Sequence, residues 1–232
     1  MAGLMIINHF QHGQSFEDNS FLIFYGNRYL TKESLLDLFP NDFAELHQTH
    51  EDVICEQTQS TLKQTSLIKA DAHYTAEINL GLLIKTADCM PICVFDNSQK
   101  KALAIHAGWR GIANQITIKA IKKTFPTNQK LSLVIGPYIH QESFEVDPDV
   151  KEQILSIIDP REKKYCYISN ENHSKYFIDL KMVLMHNLKA SFKDVDFDFY
   201  DVQINSVKDL RFNSYRRDKD KSGRNYSFIL IK

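Results

Sequence analysis

Seven short runs of branched and aromatic residues, scattered from one end of the chain to the other, constrain the fold more than any other feature. They occupy residues 4–7, 21–25, 82–86, 92–95, 102–105, 131–135 and 226–231. Valine, isoleucine, phenylalanine and tyrosine dominate them, as a pleated, half-buried surface prefers. Residues 194–199 alternate acids with Val195, Phe197 and Phe199, the period of a strand with one wet face. Helical stripes are fewer. Thr31 is placed to cap a short helix through Leu38, which stops before Pro40. Ile112, Ile116, Ala120, Ile121 and Phe125 form one stripe ending at Pro126, and Phe177, Leu180, Leu184 and Leu188 form another. Asp147 and Pro148 read as N-cap and first helical residue of a segment carrying Val150, Ile154, Ile157 and Ile158 as far as Asp159-Pro160. Strands outnumber helices and do not alternate with them, which predicts an α+β fold with mixed sheets, not a doubly wound parallel sheet.

No linker, repeat or low-complexity tract interrupts the 232 residues, so a single domain over residues 1–232 is expected. With 28 basic and 29 acidic residues the net charge is −1, which argues against a general nucleic-acid binder. No apolar run approaches the ~20 residues that cross a bilayer. The apolar start meets Asn8 and His9 at once and lacks a basic leader, so no export signal is expected. Cys55, Cys89, Cys93 and Cys166 are too scattered for a disulfide scaffold and are expected as reduced thiols in a cytoplasmic protein.

The most informative stretch is residues 82–111. It reads strand, Thr86-Ala87-Asp88-Cys89-Met90-Pro91, strand, turn, strand, then His106-Ala107-Gly108-Trp109-Arg110-Gly111 and a helix. A cysteine and a histidine thus sit at strand ends, and thiolate and imidazole are donors that zinc prefers. Gly108 and Gly111 permit close backbone approach, while a helix start and the Arg110 guanidinium form a seat for an anion. The same residues also fit a plainer description, an inert buried thiol and a packed turn. Cys93, inside an apolar strand, is read as core.

These motifs resemble the YfiH family, whose members are also called laccase-domain proteins, polyphenol oxidases or peptidoglycan editing factors. Further matches are Gln48-Thr49-His50, Ala70-Asp71-Ala72, Ile135-Gly136-Pro137, Phe144-Glu145-Val146, Asp179, Ser214-Tyr215-Arg216-Arg217-Asp218 and Gly223-Arg224. The resemblance spans roughly residues 43–232 and implies two mixed sheets packed together and flanked by helices. It implies a metal held by His50, Cys89 and His106, zinc in preference to copper. Asp71 and Asp88 are then candidates to orient an imidazole or handle a proton, with Asp71 also placed at the substrate. The implied activities are phosphorolysis of adenosine, inosine or methylthioadenosine and hydrolytic deamination of adenosine. Removal of a wrongly incorporated amino acid from a UDP-sugar peptidoglycan precursor is a related implication.

Copper oxidation is the weaker expectation. Met90 beside Cys89 would point to the opposite strand face, and no His-x-His pair is present for a multicopper cluster. A metal-free alternative makes Cys89 a nucleophile with His106 as its base, in line with the family's fold relationship to a cysteine-dependent toxin deamidase. A non-catalytic module that binds metal and a nucleotide or partner is the rival from another class. The N-terminal part departs most from the family: residues 11–16 and 24–26 lack the arginine of its Ser-Thr-Arg-x-Gly-Gly segment, and the family cysteine before Tyr215 is replaced near Asn205-Ser206. His73 stands where an apolar residue is expected and is read as a surface imidazole; His47 competes with His50 on spacing alone. His9, His12, His140, His173 and His186 are given no role. The basic stretch from Lys208 to Arg224 is read as a solvated, internally paired loop, or as a segment whose Tyr215 stacks on the substrate while Arg216 pairs with its phosphate. The expected partners are therefore a small purine nucleoside and phosphate, with neither nucleic acid nor membrane.

Overall fold

Two six-stranded mixed sheets lie face to face. The computed structural model describes residues 6–232 apart from 97, 99, 128, 129 and 173, so part of the first expected strand (residues 4 and 5) and His173 lie outside the described residues. The first sheet takes β1 (Ile6–Phe10), β2 (Gly13–Glu17), β3 (Phe21–Gly26) and β4 (Asp42–Ala44) from the N-terminal part. The second draws on β5 (Ile54–Glu56) and β6 (Ala72–Thr75), and β7 (Leu80–Thr86) returns to the first. Then β8 (Met90–Asp96), β9 (Lys101–Ala107) and β10 (Lys130–Ile135) build the second. A small third sheet holds β11 (Glu145–Val146), β12 (Tyr167–Ser169) and β13 (Tyr176–Ile178); β14 (Asp196–Asp201) edges the second sheet and β15 (Asn225–Ile231) enters the middle of the first. The orders are β1-β2-β3-β15-β7-β4 and β14-β10-β8-β9-β6-β5. Parallel pairs β4–β7, β5–β6 and β10–β14 sit among antiparallel ones. The expected mixed α+β architecture is the observed one.

Strand periodicity decides which layer each side chain joins. Along β8, Cys93 and Phe95 face the first sheet and meet Phe21, Tyr25, Leu82 and Ile229. Ile92 and Val94 face the other way, onto helices α2 (Trp109–Ala113), α3 (Ile116–Thr124), α4 (Pro148–Leu155) and α5 (Leu180–Ser191). On the outer face of the first sheet, Phe24, Leu83 and Phe228 pack against Leu35 of the single helix α1 (Lys32–Leu38). Each such side chain withdrawn from water contributes about 1.5–3 kcal/mol.

The helices differ from the sequence expectation in instructive ways. The stripe from Ile112 to Phe125 is two helices, because Gln115 adopts a left-handed conformation (φ 60°) that ends α2 and starts α3 on a new axis. Phe177 belongs to β13, pairing with Glu145 and Ile168, and α5 begins only after Asp179, whose carboxylate caps it by accepting from Met182 N at 2.9 Å. Asp147 stands at the N-cap of α4, as expected, without a side-chain capping bond, and the helix ends at Leu155, short of the expected Asp159. Thr31 does cap α1, in a reciprocal arrangement with Ser34. Two residues later than expected, the acidic strand spans Asp196–Asp201, with Asp196 exposed and the following residues half-buried against their neighbours.

His73, expected at the surface, is fully buried. It sits on β6 opposite Ala104, the same face as the inter-sheet core, and neither ring nitrogen has a hydrogen-bond partner. Burial lowers its pKa from 6.5 to about 3, so the ring is a neutral polar group held in an apolar layer. Leaving such a group unpaired costs about 1–3 kcal/mol. We therefore expect His73→Leu to raise the thermal midpoint, by about 2–4 °C per kcal/mol recovered. Because the folded pKa lies below the unfolded one, the unfolded chain takes up the proton first; stability is full above pH 6.5 and falls as pH drops toward 3. The gap between variant and parent should widen between pH 7 and 4, and a variant less stable than the parent at both ends would contradict this reading.

Candidate metal centre and substrate cleft

The chain crosses from the first sheet to the second through the short turn between β7 and β8, and Cys89 lies on that turn. The crossing needs a sharp reversal, supplied by Asp88 in the left-handed region at φ 86°. Aspartate tolerates that region better than most residues. His106 lies near the end of β9, facing Pro91 of β8 across the ladder. His50 arrives from a third direction, on the loop between β4 and β5, also left-handed at φ 63°.

Two polar side chains hold that loop against the sheets. The Gln48 amide acts as an extra strand residue, accepting from Lys85 N at 2.9 Å and donating to Lys85 O at 2.8 Å. Asp71, fully buried just before β6, accepts from the backbone N–H groups of Thr49 (3.1 Å), His50 (2.9 Å) and Glu51 (2.9 Å). Its Oδ1 also lies 2.7 Å from His106 Nδ1. The carboxylate thus fixes both histidines: one through its backbone, the other through its ring. Burial pushes the Asp71 carboxyl up, but the His106 bond and the Glu51 and His50 N–H groups outweigh it and hold it below the ordinary range. Asp71 is fully buried behind His106 and is not among the residues that line the cleft.

With Nδ1 donating to Asp71, His106 turns Nε2 toward the thiol. The ligand atoms of His50, Cys89 and His106 all lie within 4.8 Å of one another. Among the described residues this is the one such gathering of three or more donors. Partial burial pushes the Cys89 thiol up, yet the charge and hydrogen bond of His106, with those of His50, bring it down to about 6. Burial opposes the charge on His106, but the Cys89 thiolate and the Asp71 carboxylate raise it to about 9. A thiolate is the form that metal coordination needs, and an arriving ion would displace the proton on His106 Nε2. A Cβ on Gly108 would stand 3.1 Å from His50 Cδ2 and 3.2 Å from Cys89 Sγ, so any side chain there would press on two of the trio by a few tenths of an ångström. The donor set and the cradle fit a tetrahedral ion with one position open to the cleft. His47 lines the cleft but stays outside this group.

The trio opens into a cleft of about 1130 Å³, above the usual range of roughly 300–1,000 Å³ for small-molecule sites. Trp109 and Arg110 form one wall, Phe144 and Glu145 a second, and Tyr215, Arg216, Lys219 and Arg224 a third. Arg110 is exposed, its guanidinium carbon 4.3 Å from the centre of the Trp109 ring. The helix that carries Arg110 has only five residues, too few aligned dipoles to make a strong anion seat on its own. Arg216 lines the cleft as well; its Nη1 donates to Glu145 O at 2.9 Å and Ser143 O at 3.3 Å, and its guanidinium lies over the Phe144 ring. Asp88 is engaged too, accepting from Ser206 Oγ at 2.8 Å and Arg216 N at 2.5 Å. The basic stretch is largely self-paired, as Arg211–Asp209 and Arg217–Asp218 show. Tyr215 is half exposed at the cleft.

The family described as multi-copper polyphenol oxidoreductase laccase matches residues 7–232. The chain belongs to the laccase-domain family. Among curated relatives, a purine nucleoside phosphorylase of Rickettsia conorii is 32% identical over 180 residues, covering 76% of this chain and 73% of its own. One of Staphylococcus epidermidis is 32% identical over 193 residues, covering 78% and 70%. YfiH from Bacillus licheniformis and YlmD from Geobacillus stearothermophilus superpose with TM-scores of 0.82 and 0.81 at 20% identity. They cover 97% and 98% of this chain, and 99% of each of theirs, and so show a shared laccase-domain fold over nearly the whole chain. Met90, next to Cys89 in sequence, is fully buried between the second sheet and the helices.

Gly108 has an ordinary φ of −70°, so alanine there costs the backbone nothing. Gly108→Ala is expected to fold normally yet weaken zinc binding by about tenfold, the scale of losses when a ligand's support is disturbed. Equilibrium dialysis against zinc checks this, and unchanged affinity would contradict the claim that Gly108 sets the room for the trio.

Proposed function

We propose that this protein is a zinc enzyme that cleaves purine nucleosides with phosphate, releasing the base and a pentose 1-phosphate. The observation that carries the reading is the convergence of His50, Cys89 and His106 at the floor of a cleft whose rim bears Arg110. Relatives named purine nucleoside phosphorylase support the substrate class. His50, Cys89 and His106 hold the ion; when bound, it supplies Lewis acidity and lowers the pKa of solvent at its open position. Asp71 keeps the proton on His106 Nδ1 and so keeps Nε2 free to bind. Arg110, spread over Trp109, offers a planar fork to the phosphate. Tyr215 offers a ring face to the base, and Phe144 and Leu180 add apolar lining.

Hydrolytic deamination of adenosine is a second reaction for the same cleft, favoured by the three-donor set, which leaves an ion a position for solvent facing the base.

Adenosine, inosine and methylthioadenosine assayed with and without phosphate test the proposal. Base release should require phosphate, and ammonia release from adenosine should not. Cys89→Ala and His106→Ala should each lose zinc and at least about 100-fold of kcat/KM, whereas Arg110→Ala should mainly raise the KM for phosphate. Base release that ignores phosphate, or full activity in a zinc-free Cys89→Ala preparation, would overturn it.

A further inference from the structure

Asp88 stands beside Cys89, where an acid–base role is the obvious expectation, but its bonding describes a different task. The residue is 8% exposed, and both carboxylate oxygens are spent on a segment more than a hundred residues away in sequence. Oδ1 accepts from Ser206 Oγ and Oδ2 from the Arg216 backbone N–H. Its own carbonyl accepts from Ile139 N at 3.0 Å, so the residue is held from both ends. A non-glycine residue at φ 86° persists only where its surroundings over-determine it, and here they do.

The other end of the same segment is fastened as well. Arg216 donates to the carbonyls of Ser143 and Glu145, and Arg217 to those of Ser206, Val207 and Phe212. Between these anchors, Ser214 caps the short helix α6 (Tyr215–Asp218) by accepting from Arg217 N. On this strap, residues 206–218, the Tyr215 side chain is half exposed and lines the cleft. Trp109 and Phe144, which also line the cleft, each carry an arginine over the ring. Among the described residues no such cation lies over the Tyr215 ring, which can stack on a planar base.

We propose that Asp88 is a positioning residue: by hooking Ser206 and Arg216 it holds Tyr215 against the cleft and so sets affinity for the base, leaving metal binding and proton transfer to other groups. The hook hangs on the residue next to a metal-ligand candidate, so the strap and the trio are registered to one another by a single peptide bond. The choice of a purine nucleoside as probe rests on the proposed function; the positioning claim itself does not.

Zinc-loaded full-length protein, Asp88→Asn, Tyr215→Ala and the double variant provide the test. Asparagine tolerates the left-handed backbone and keeps one acceptor for Ser206, but it presents an N–H group where Arg216 N needs an oxygen. We expect Asp88→Asn to retain the parent's zinc content and to exchange the Arg216 amide proton faster. Its KM for adenosine should rise about tenfold, as loss of one stacking partner does, with kcat within about twofold and an unchanged pH profile. Tyr215→Ala should cost little more in the Asp88→Asn background than Asp88→Asn alone. Loss of zinc, fully additive effects, or a collapse of kcat with one limb of the pH profile missing at unchanged KM would overturn the proposal. Should the parent neither bind nor convert any purine nucleoside, the functional reading fails while the hydrogen-exchange arm still decides: unaltered exchange over residues 214–218 in Asp88→Asn refutes the hook.

Discussion

A single buried carboxylate organises the site. Asp71 spends its oxygens on three consecutive backbone N–H groups of the His50 loop and on the His106 ring. Without it the loop would have no reason to hold His50 at φ 63°, a conformation that disfavours a β-carbon. The His106 imidazole would also lose the acceptor that decides which nitrogen keeps the proton. The cost of burying the charge is offset because every partner is a donor aimed at it. A group of this kind is worth more as a fastener between loops than as a participant in chemistry.

The sheets provide the frame on which that fastener works. β7 lies in the first sheet and β8 in the second, so the turn joining them must cross the core boundary at the cleft floor. Cys89 is carried there by the crossing, and His106 by the antiparallel pairing of β9 with β8. Gln48 then ties the His50 loop to β7 from the other side. Three distant parts of the chain meet because each is locked to a different strand end, and Gly108 keeps the space between them open. Tight packing between the sheets, with Phe21 and Phe95 rings 4.6 Å apart, gives the frame the stiffness that a metal site requires.

Much of this was legible in the residues. Strand runs such as 82–86 and 131–135 carry their own signature, since short apolar runs with branched side chains suit a pleated, buried surface. Cys89 and His106 stood out because donors at strand ends beside glycine are chemically conspicuous. Other features were hidden for physical reasons. The break at Gln115 lies in one backbone angle, which an apolar stripe does not encode. His73 looked superficial because imidazole usually seeks water, and only the pairing of β6 with β9 shows that its face is the inter-sheet core. Asp71 and Asp88 have the same side chain and similar neighbours in sequence, yet one braces the ligands and the other hooks the strap. What separates them is which distant N–H and O–H groups the fold delivers to each carboxylate, and spacing carries no trace of that. Gln48 could have been flagged sooner, because an amide is one of the few side chains able to copy a strand's donor and acceptor at once.

The account stands on the claim that Asp71 builds the metal centre, and zinc affinity of Asp71→Asn measures it most directly. An asparagine side chain turned to keep its oxygen on the loop would present N–H to His106 Nδ1, shifting the ring proton to Nε2 and blocking that ligand. The account predicts a folded protein whose zinc affinity falls by about 10–100-fold. An Asp71→Asn protein that binds zinc as tightly as the parent would contradict it.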